Sequence, residues 1–256
     1  MNRFVLLLVL AALAGCTQKD APPQAQNEPA PAASAPAPAT PAEPAEPAGE
    51  PSRTAAFAAD VPAGEYKMDH AHSTLIFRLS HMGFSHYTSR FRRFDAKLQF
   101  DPRNLTATQL TATIDPRSIE TDYPDPKYNF NAELAGENFL DAKKFPEIAF
   151  RTTQVEDLGN QALRVHGELT LHGVTRPIVL EATYNGGYAG HPMDPQARVG
   201  FSAHGVLRRS DFGISGGIPQ AASNMGVGDQ VAVIIESEFN GPPKAQAEAP
   251  KADSKS

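Results

Sequence analysis

The central part of the chain alternates between apolar and polar residues with a period of two. The clearest example runs from Leu163 to Leu171, where every second residue is apolar or glycine and the residues between are polar. This period places successive side chains on opposite faces of a strand, so each segment has one face to bury. The same alternation recurs in seven further segments: Leu75–Leu79, Phe94–Phe100, Leu110–Ile114, Ile148–Thr152, Ile178–Tyr184, Val199–Ala203 and Val231–Ile235.

Turn signals separate these segments, and they stand at Asp101-Pro102, Leu158-Gly159-Asn160, His172-Gly173 and Asn185-Gly186-Gly187. One helical interruption is predicted near Tyr128 to Gly136. Many strands that are apolar on one face favour an antiparallel sheet that closes on itself. We therefore predict an all-β protein, an antiparallel barrel of about eight strands with one short helical insertion.

The interior of such a barrel is either filled by its own side chains or wide enough for one slender ligand. Several inward-phase positions carry small residues, which favours an open lumen: Ala96, Ala112, Ala182, Ala203 and Gly205. In the alternative, a solid core, these residues match larger ones opposite them. The alternation pattern alone leaves both interpretations open.

An apolar run from Phe4 to Ala14 follows the positive charge of Arg3. The run is typical of a secretory signal and is too short to cross a bilayer as a helix. It ends in Leu13-Ala14-Gly15-Cys16, which resembles the bacterial lipobox, where the cysteine is acylated and the signal removed. We predict a signal peptide at residues 1–15 and lipidation of Cys16; the alternative is an ordinary signal with a chance cysteine.

The residue after Cys16 indicates whether the inner or the outer membrane anchors the protein. Thr17 stands where an aspartate would resemble an inner-membrane retention signal. The sequence therefore predicts a lipoprotein in the periplasm, anchored to a membrane, with the outer membrane favoured.

Two further segments differ in composition from the alternating part. Residues 16–60 are rich in Ala, Pro, Glu and Gln, and residues 242–256 in Ala, Lys, Glu and Ser. Such segments cannot bury enough apolar surface to offset chain entropy. We predict a disordered tether at 16–60, one barrel domain at 61–241 and a disordered tail at 242–256.

Charge and cysteine content exclude some classes of function. The formal net charge is −6 and the 23 Lys and Arg residues are scattered, which argues against a nucleic-acid partner. Cys16 is the only cysteine, so the chain has no pair for a disulfide or thiol redox chemistry. No motif indicates a cofactor.

Four longer motifs follow one another along the predicted domain. They are Tyr66-Lys67-Met68-Asp69 with His72-Ser73, then Phe139 to Phe150, Gly167 to Pro177, and Arg209 to Ile214. In this order they resemble the YceI family. Two segments depart from its usual pattern: Arg90 stands where a glycine is usual, and Asn131-Ala132-Glu133-Leu134 replaces an Asp-x-His-Leu-like segment. No role of a helix histidine therefore transfers to this chain.

The resemblance implies an exported, lipocalin-like barrel that encloses a long apolar molecule, typically a polyisoprenoid or a related lipid, and that has no catalytic residues. The residues independently offer apolar walls for such a ligand. The candidate wall residues are Phe77, Leu79, Phe94, Phe139, Phe150, Phe201 and Phe212.

Three polar residues continue the inward phase at strand ends: His81, Arg209 and Asp211. We hypothesise that His81 and Arg209 meet a polar or phosphorylated head group at the mouth, because arginine offers a planar fork of donors. The alternative is an internal Arg209–Asp211 ion pair that holds the loop Gly213–Gly217, which otherwise looks like a flexible lid.

Two other classes of function compete with lipid binding. His70, His72, His81 and His86 suggest a metal protein, but no Cys and no acid at a recognised ligand spacing completes the set. A hydrolase lacks Gly-x-Ser-x-Gly, and Ser210-Asp211 has no nucleophile context. The prediction is a lipid-binding protein that is not an enzyme, and a homodimer stays open.

Overall fold

The computed structural model describes residues 61–190, 192–220 and 223–243. The predicted signal, Cys16 and the predicted tether lie outside these residues. One antiparallel sheet contains eleven strands in the described part. The strands are β1 (Gly64–Met68), β2 (Thr74–His81), β3 (Ser85–Phe91), β4 (Phe94–Phe100), β5 (Gln109–Ile114), β6 (Ile119–Glu120), β7 (Ile148–Gly159), β8 (Ala162–Leu171), β9 (Val174–Tyr188), β10 (Gln196–Arg208) and β11 (Val227–Pro243).

The sheet closes through β1, which pairs with β4 on one side and with β11 on the other. The ring that results runs β1-β4-β5-β7-β8-β9-β10-β11 and returns to β1. The predicted antiparallel barrel of about eight strands is therefore confirmed. The one α-helix of the described residues, α1 (Phe130–Leu134), lies inside the predicted helical interruption.

The length of β11 explains the three strands outside the ring. Its C-terminal half pairs with β1 at Phe239, and its N-terminal half pairs with β2 from Val231 to Glu236. β3 then pairs with β2, and β6 with β3. These strands extend the wall at one end only.

The two ends of the barrel differ, and β10 runs from one to the other. Val199, near its start, pairs with Phe239, and Arg208 at its end pairs with Gln230. We call the first end the closed end. The second end, which also carries the turn between β2 and β3, is the mouth.

A cluster of large rings fills the closed end. The ring of Phe100 lies 6.1 Å from that of Tyr66, 5.1 Å from Tyr184 and 5.5 Å from Phe201, measured between centroids. Tyr66 is fully buried, and its ring fits against Gly241, where any Cβ would collide with it. The buried members of this closed-end cluster are Val61, Tyr66, Ala96, Leu98, Phe100, Tyr184, Ala197, Val199 and Phe239.

A second buried cluster joins the wall of β7, β8 and β9 to the segment that follows β10. Phe150 is 7% exposed and packs over Gly167, where a Cβ would collide with its ring. Phe212 and Ile214 complete the cluster from the other side. We call this the mouth-side cluster; its members are Ile148, Phe150, Leu169, Leu171, Leu180, Phe212 and Ile214.

Two predicted boundaries are corrected. Asn185-Gly186-Gly187 is not a turn: β9 continues through it to Tyr188, and the register with β10 shifts there as a bulge. Gly186 has φ 106°, a conformation that suits glycine, so the signal marks a bulge inside a strand. β11 ends at Pro243, so Pro242 and Pro243 belong to the sheet and not to the predicted tail.

No helix in the described ranges is long and apolar enough to span a membrane.

Two tyrosines of the closed-end cluster give a matched test of its polar atoms. Burial raises the pKa of both hydroxyls to about 12. Tyr66 donates to the carbonyl oxygen of Pro62 at 2.5 Å, whereas among the described residues the buried Tyr184 hydroxyl has no partner. We expect Tyr66→Phe to lower the free energy of unfolding by about 1 kcal/mol and Tyr184→Phe to raise it by a similar amount.

Urea denaturation of the two variants measures this difference. Each change removes one oxygen from a buried ring of the same cluster, so each serves as the control for the other. Equal losses in both variants would show that the Tyr184 hydroxyl is hydrogen-bonded in the folded protein.

Candidate functional site

The middle of the barrel is lined by apolar side chains that point inward and yet are only half-buried. Phe77 pairs with Val233, and Ala203 pairs with Ile235, on the same face as the closed-end cluster. In a closed sheet, inward side chains meet solvent through the interior, so this half-burial indicates an open lumen. The half-buried lumen residues are Leu75, Phe77, Leu79, Phe91, Ala182, Phe201, Ala203, Leu207, Val233 and Ile235.

Some of the small inward residues support a solid core, and others support an open lumen. Gly205 matches a large neighbour, because a Cβ there would lie 2.6 Å from Cδ2 of Leu180. Ala96 is buried in the closed-end cluster. Ala182 and Ala203 pair with each other and remain half-buried. The barrel is therefore solid at its closed end and open in its middle.

The predicted wall residues do not all meet in one place. Phe77 and Leu79 line the lumen, where the ring of Phe77 lies 5.3 Å from that of Phe91. Phe201 lies at the floor, with its ring 5.3 Å from Tyr184. Phe150 and Phe212 are buried in the mouth-side cluster, against which the lumen residues Phe91, Leu207 and Ile235 pack. Phe94 lines a groove that shares Leu75 and Phe91 with the lumen, and Phe139 lines a second groove.

The first groove lies beside the turn from β3 to β4 and has a volume of about 630 Å³. Phe94 lines it together with Leu75, Phe91 and Ile114, and four arginines form its rim: Arg90, Arg92, Arg93 and Arg117. Arg93 and Arg117 each lie 2.8 Å from a carboxylate oxygen of Asp115. Hydrogen bonds from Arg117 and then Arg93 lower the pKa of Asp115 to about 2, so the pair of arginines is held in place.

The second groove, of about 490 Å³, lies against the segment after β10. Phe139 lines it beside Gly216, and His172 is a further lining residue. His172 Nδ1 lies 3.1 Å from the carbonyl oxygen of Phe212. This groove lies over the 213–217 loop and does not form part of the lumen wall.

Arg209 is directed into the protein at the mouth and is only 6% exposed. Its guanidinium donates to the carbonyl oxygens of Gly228 at 2.9 Å, Gly216 at 2.5 Å and Val227 at 2.6 Å. These contacts replace the predicted ion pair with Asp211, whose side chain is on the surface. Burial lowers the pKa of Arg209, and the nearby Asp229 carboxylate opposes this shift.

The loop Gly213–Gly217 is thus held from below and is not a free lid. Arg209 binds its Gly216 carbonyl, and Ile214 is buried in the mouth-side cluster. The hypothesised contact of Arg209 with a head group does not fit this geometry, because the guanidinium faces backbone carbonyls. His81 is brought to the same end, opposite Val227, and is exposed.

Ser210 and Asp229 form a cap and not a nucleophile with its base. Asp229 accepts hydrogen bonds from the backbone N–H of Ser210 at 2.9 Å and from its hydroxyl at 2.8 Å. A carboxylate that accepts both bonds holds the turn after β10 in place. No histidine takes part in this pair of contacts.

Three possible metal ligands converge at the closed end, although the sequence did not place them together. Ligand atoms of Asp69, His72 and Glu238 lie within 4.8 Å of one another. Arg198 Nη1 lies 2.6 Å from both carboxylates, so a guanidinium already neutralises them. Hydrogen bonds from His72 and Arg198 hold the pKa of Asp69 well below its usual range.

The predicted histidine set does not assemble. His70 lies 3.7 Å from Asp95, while His81 and His86 lie on the hairpin at the mouth. Arg198 and Glu238 had no signal in the sequence because they come from β10 and β11, far along the chain from Asp69. Phe91 and Ile235 line the lumen although neither was among the predicted wall residues, whereas Ala182 lies in the lumen as its small size and inward phase predicted.

Arg209 and its neighbour Arg208 provide a matched test of the buried guanidinium. Arg209→Met removes a buried guanidinium that donates to three part-buried carbonyl oxygens, so we expect the free energy of unfolding to fall by about 3 kcal/mol. Arg208 is exposed and lies 3.5 Å from Asp229, so Arg208→Met should cost less than about 0.5 kcal/mol. Denaturation measures both values, and hydrogen exchange of the Val227 amide reports whether the loop has loosened. Equal effects of the two changes would contradict the role of Arg209 as the anchor of the loop.

Comparison with known proteins agrees with this geometry. A UPF0312 protein of Vibrio cholerae is 36% identical over 160 residues, which cover 62% of this chain and 80% of that protein. A solved YceI protein of Campylobacter jejuni is 28% identical, covers 64% of this chain and 90% of its own, and superposes with a TM-score of 0.53. A polyisoprenoid binding domain from Saccharophagus degradans shares the fold at 14% identity, with 71% of this chain and all of that domain covered and a TM-score of 0.50.

The family model described as the YceI-like domain matches residues 66–239, from the first of the four motifs to the end of the barrel. This range contains all the ring strands except the ends of β1 and β11. The family predicted from the motifs is confirmed: the chain belongs to the YceI-like domain family.

Proposed function

We propose that this chain binds a long apolar lipid of the polyisoprenoid type in the lumen of its barrel and carries it in the periplasm while attached to a membrane. The observation that carries the proposal is the half-buried apolar wall between the closed-end cluster and the mouth. A wall that is apolar over its length and sealed at one end fits a slender molecule that enters from the other end.

The chemistry of the wall favours a hydrocarbon chain. The half-buried inward residues are hydrocarbon side chains, and burial of a ligand among them gains about 25 cal/mol per Å² of apolar area. Polar residues in the same phase are turned to the backbone: Ser89 donates to the carbonyl oxygen of Glu120 at 2.9 Å, and Ser237 to that of Phe201 at 3.3 Å. The Tyr184 hydroxyl at the floor is the exception.

The related structures support a binding role. The Saccharophagus degradans domain with the same fold is described as polyisoprenoid binding. In the present chain the groups that could begin a reaction are occupied in structural contacts, as with Ser210 on Asp229. We therefore propose a carrier that performs no covalent chemistry.

A metal-binding protein is the weaker candidate. It depends on Asp69, His72 and Glu238, and Arg198 Nη1 stands between the two carboxylates. A divalent cation would have to displace a guanidinium that both carboxylates already bind. This contact favours the lipid carrier.

Membrane attachment and the periplasmic location rest on the sequence before the barrel. Cys16 after Leu13-Ala14-Gly15 supports a lipidated lipoprotein, and Thr17 supports the outer membrane. A residue with several acyl chains would attach the protein firmly, whereas a single chain would hold it only marginally. In this proposal one lipid is covalent and serves as the anchor, and the other is bound reversibly in the lumen.

Blocking the lumen tests the binding proposal. We expect mass spectrometry of lipid extracted from gently purified protein to show an apolar chain of defined length. Ala203→Phe places a ring in the lumen beside Ala182. We expect the bound lipid to fall at least about tenfold, because the narrow lumen cannot hold both the added ring and a lipid chain. His204→Phe changes the next residue, which is exposed on the outer face, and should leave the lipid in place.

Circular dichroism of both variants controls for folding. Equal amounts of lipid in the two variants would place the ligand outside the lumen. An empty wild-type barrel under the same conditions would contradict the proposed function.

Changing Cys16 to Ser tests the separation of the two lipids. We expect the variant to lose the acylated form and to leave the membrane fraction, while the lipid extracted per barrel stays the same. Fractionation, followed by mass spectrometry of the protein and of the extracted lipid, measures both. If release from the membrane also emptied the barrel, the two lipids would not be independent.

A further inference from the structure

Two loops at the mouth of the barrel have no role in the proposed lipid binding. One is the turn between β2 and β3, and the other leads into β11. They are joined directly, because the N–H of Met82 donates to the carbonyl oxygen of Gly226 at 2.8 Å and His81 pairs with Val227. The N–H of Val227 in turn donates to the carbonyl oxygen of Gly217 at 2.7 Å, which links this pair to the 213–217 loop held by Arg209.

Both loops project large apolar side chains into solvent. Phe84 is 86% exposed and Met225 is 71% exposed. The turn that presents Phe84 is defined: Met82 and Gly83 have φ of 52° and 73°, and the N–H of Phe84 donates to the carbonyl oxygen of His81 at 3.0 Å. A non-glycine residue at positive φ is uncommon and marks a constrained backbone, so the exposure of Phe84 is built into the turn.

The same two segments lack charge. No Asp, Glu, Lys or Arg occurs from Leu79 to Ser89 or from Phe212 to Gly228, although 20% of the chain is charged. The turn between β7 and β8, at the closed end, instead follows Glu156 and Asp157. An uncharged surface with apolar tips can leave water without the cost of desolvating ions.

We propose that the mouth docks onto the surface of a lipid bilayer, with Phe84 and Met225 inserted into its interfacial layer. The exposed apolar tips lie beside the lumen opening, and the strands that begin and end the described domain, β1 and β11, have those ends at the closed end. The inference rests on the proposed function for its purpose: a docked mouth lets an apolar molecule pass between bilayer and lumen without crossing water. Because neither segment contains Asp, Glu, Lys or Arg, the surface fits a zwitterionic bilayer and needs no anionic lipid.

The experiment uses the absence of tryptophan from the chain. Phe84→Trp in the full-length protein gives a single fluorophore at the tip of the mouth. On phosphatidylcholine vesicles its emission should shift to the blue, and bromine atoms on the acyl chains should quench it, because interfacial side chains enter about 5–10 Å into the headgroup and acyl boundary. Met225→Trp is the second reporter, in case the first variant does not fold.

Leu158→Trp is the matched control, since Leu158 is also an exposed apolar residue, 47% exposed, near the end of β7 beside the turn at the closed end. Its emission should remain that of a residue in water. An increase from about 0.1 M to about 1 M salt should leave the emission of the Phe84→Trp variant unchanged, because no charge in the two loops is screened. All measurements are made at a single pH of about 8, so that the salt series changes only the ionic strength.

If the tryptophan emission of both mouth reporters stayed that of a side chain in water, the proposal would be wrong. Equal quenching of the mouth reporters and of the Leu158→Trp control would also contradict it. Loss of the blue shift of the Phe84→Trp variant at high salt would point to charged contacts and would also contradict it. Lipid extracted from the same preparations separates this inference from the proposed function. If lipid is extracted from the barrel but the mouth reporters are not quenched, only the proposed docking surface is wrong. If the mouth reporters are quenched but no lipid is extracted, only the proposed carrier function is wrong.

Discussion

The closure of the sheet by β1 is the constraint on which the rest of the structure depends. This strand has five residues, and it bridges β4 and β11 in a register that brings Met68 opposite Phe239 and Tyr66 opposite Leu98. Without it the ring would have two free edges, and the inward faces of the long strands would lie open to water. The fully buried ring of Tyr66 ties this hydrogen-bonded closure to the packing of the closed-end cluster, because it occupies the space that Gly241 leaves.

The two ends of the barrel have different roles: the closed end is packed, and the mouth leads to the lumen in which we propose that lipid binds. At the closed end the rings of Phe100, Tyr184, Phe201 and Phe239 fill the interior, and Arg198 outside it joins Asp69 to Glu238. Towards the mouth, the mouth-side cluster packs one part of the interior, and the backbone is held by one buried guanidinium, that of Arg209. The half-buried lumen residues lie between these two packed clusters, so the packing of the clusters holds the wall while the middle of the barrel stays open.

Much of the fold could be predicted from the alternation pattern, and the parts that could not have a physical reason. The long strands β7 to β11 bury a continuous apolar face, so their period of two is plain in the residues. β3 was missed because Ser89 interrupts its inward face, although that hydroxyl is satisfied by the carbonyl of Glu120. β6 has two residues, too few to show a period. The predicted wall residues on strands were right in phase, but Phe150 is buried in the mouth-side cluster and Phe94 lines the first groove, because the inward phase does not specify depth along the barrel.

The sequence by itself determined the strand periodicity, the family and the barrel, because these depend on local alternation and on motifs read in order. Only the tertiary structure decided which end is closed, where small residues leave space and where Arg209 points. These depend on residues that are distant in the chain and meet when the sheet closes, as when Arg198 from β10 reaches Asp69 and Glu238. The local alternation of the sequence predicts the face of the sheet on which a side chain lies. The register of the closed sheet decides which residues that side chain contacts.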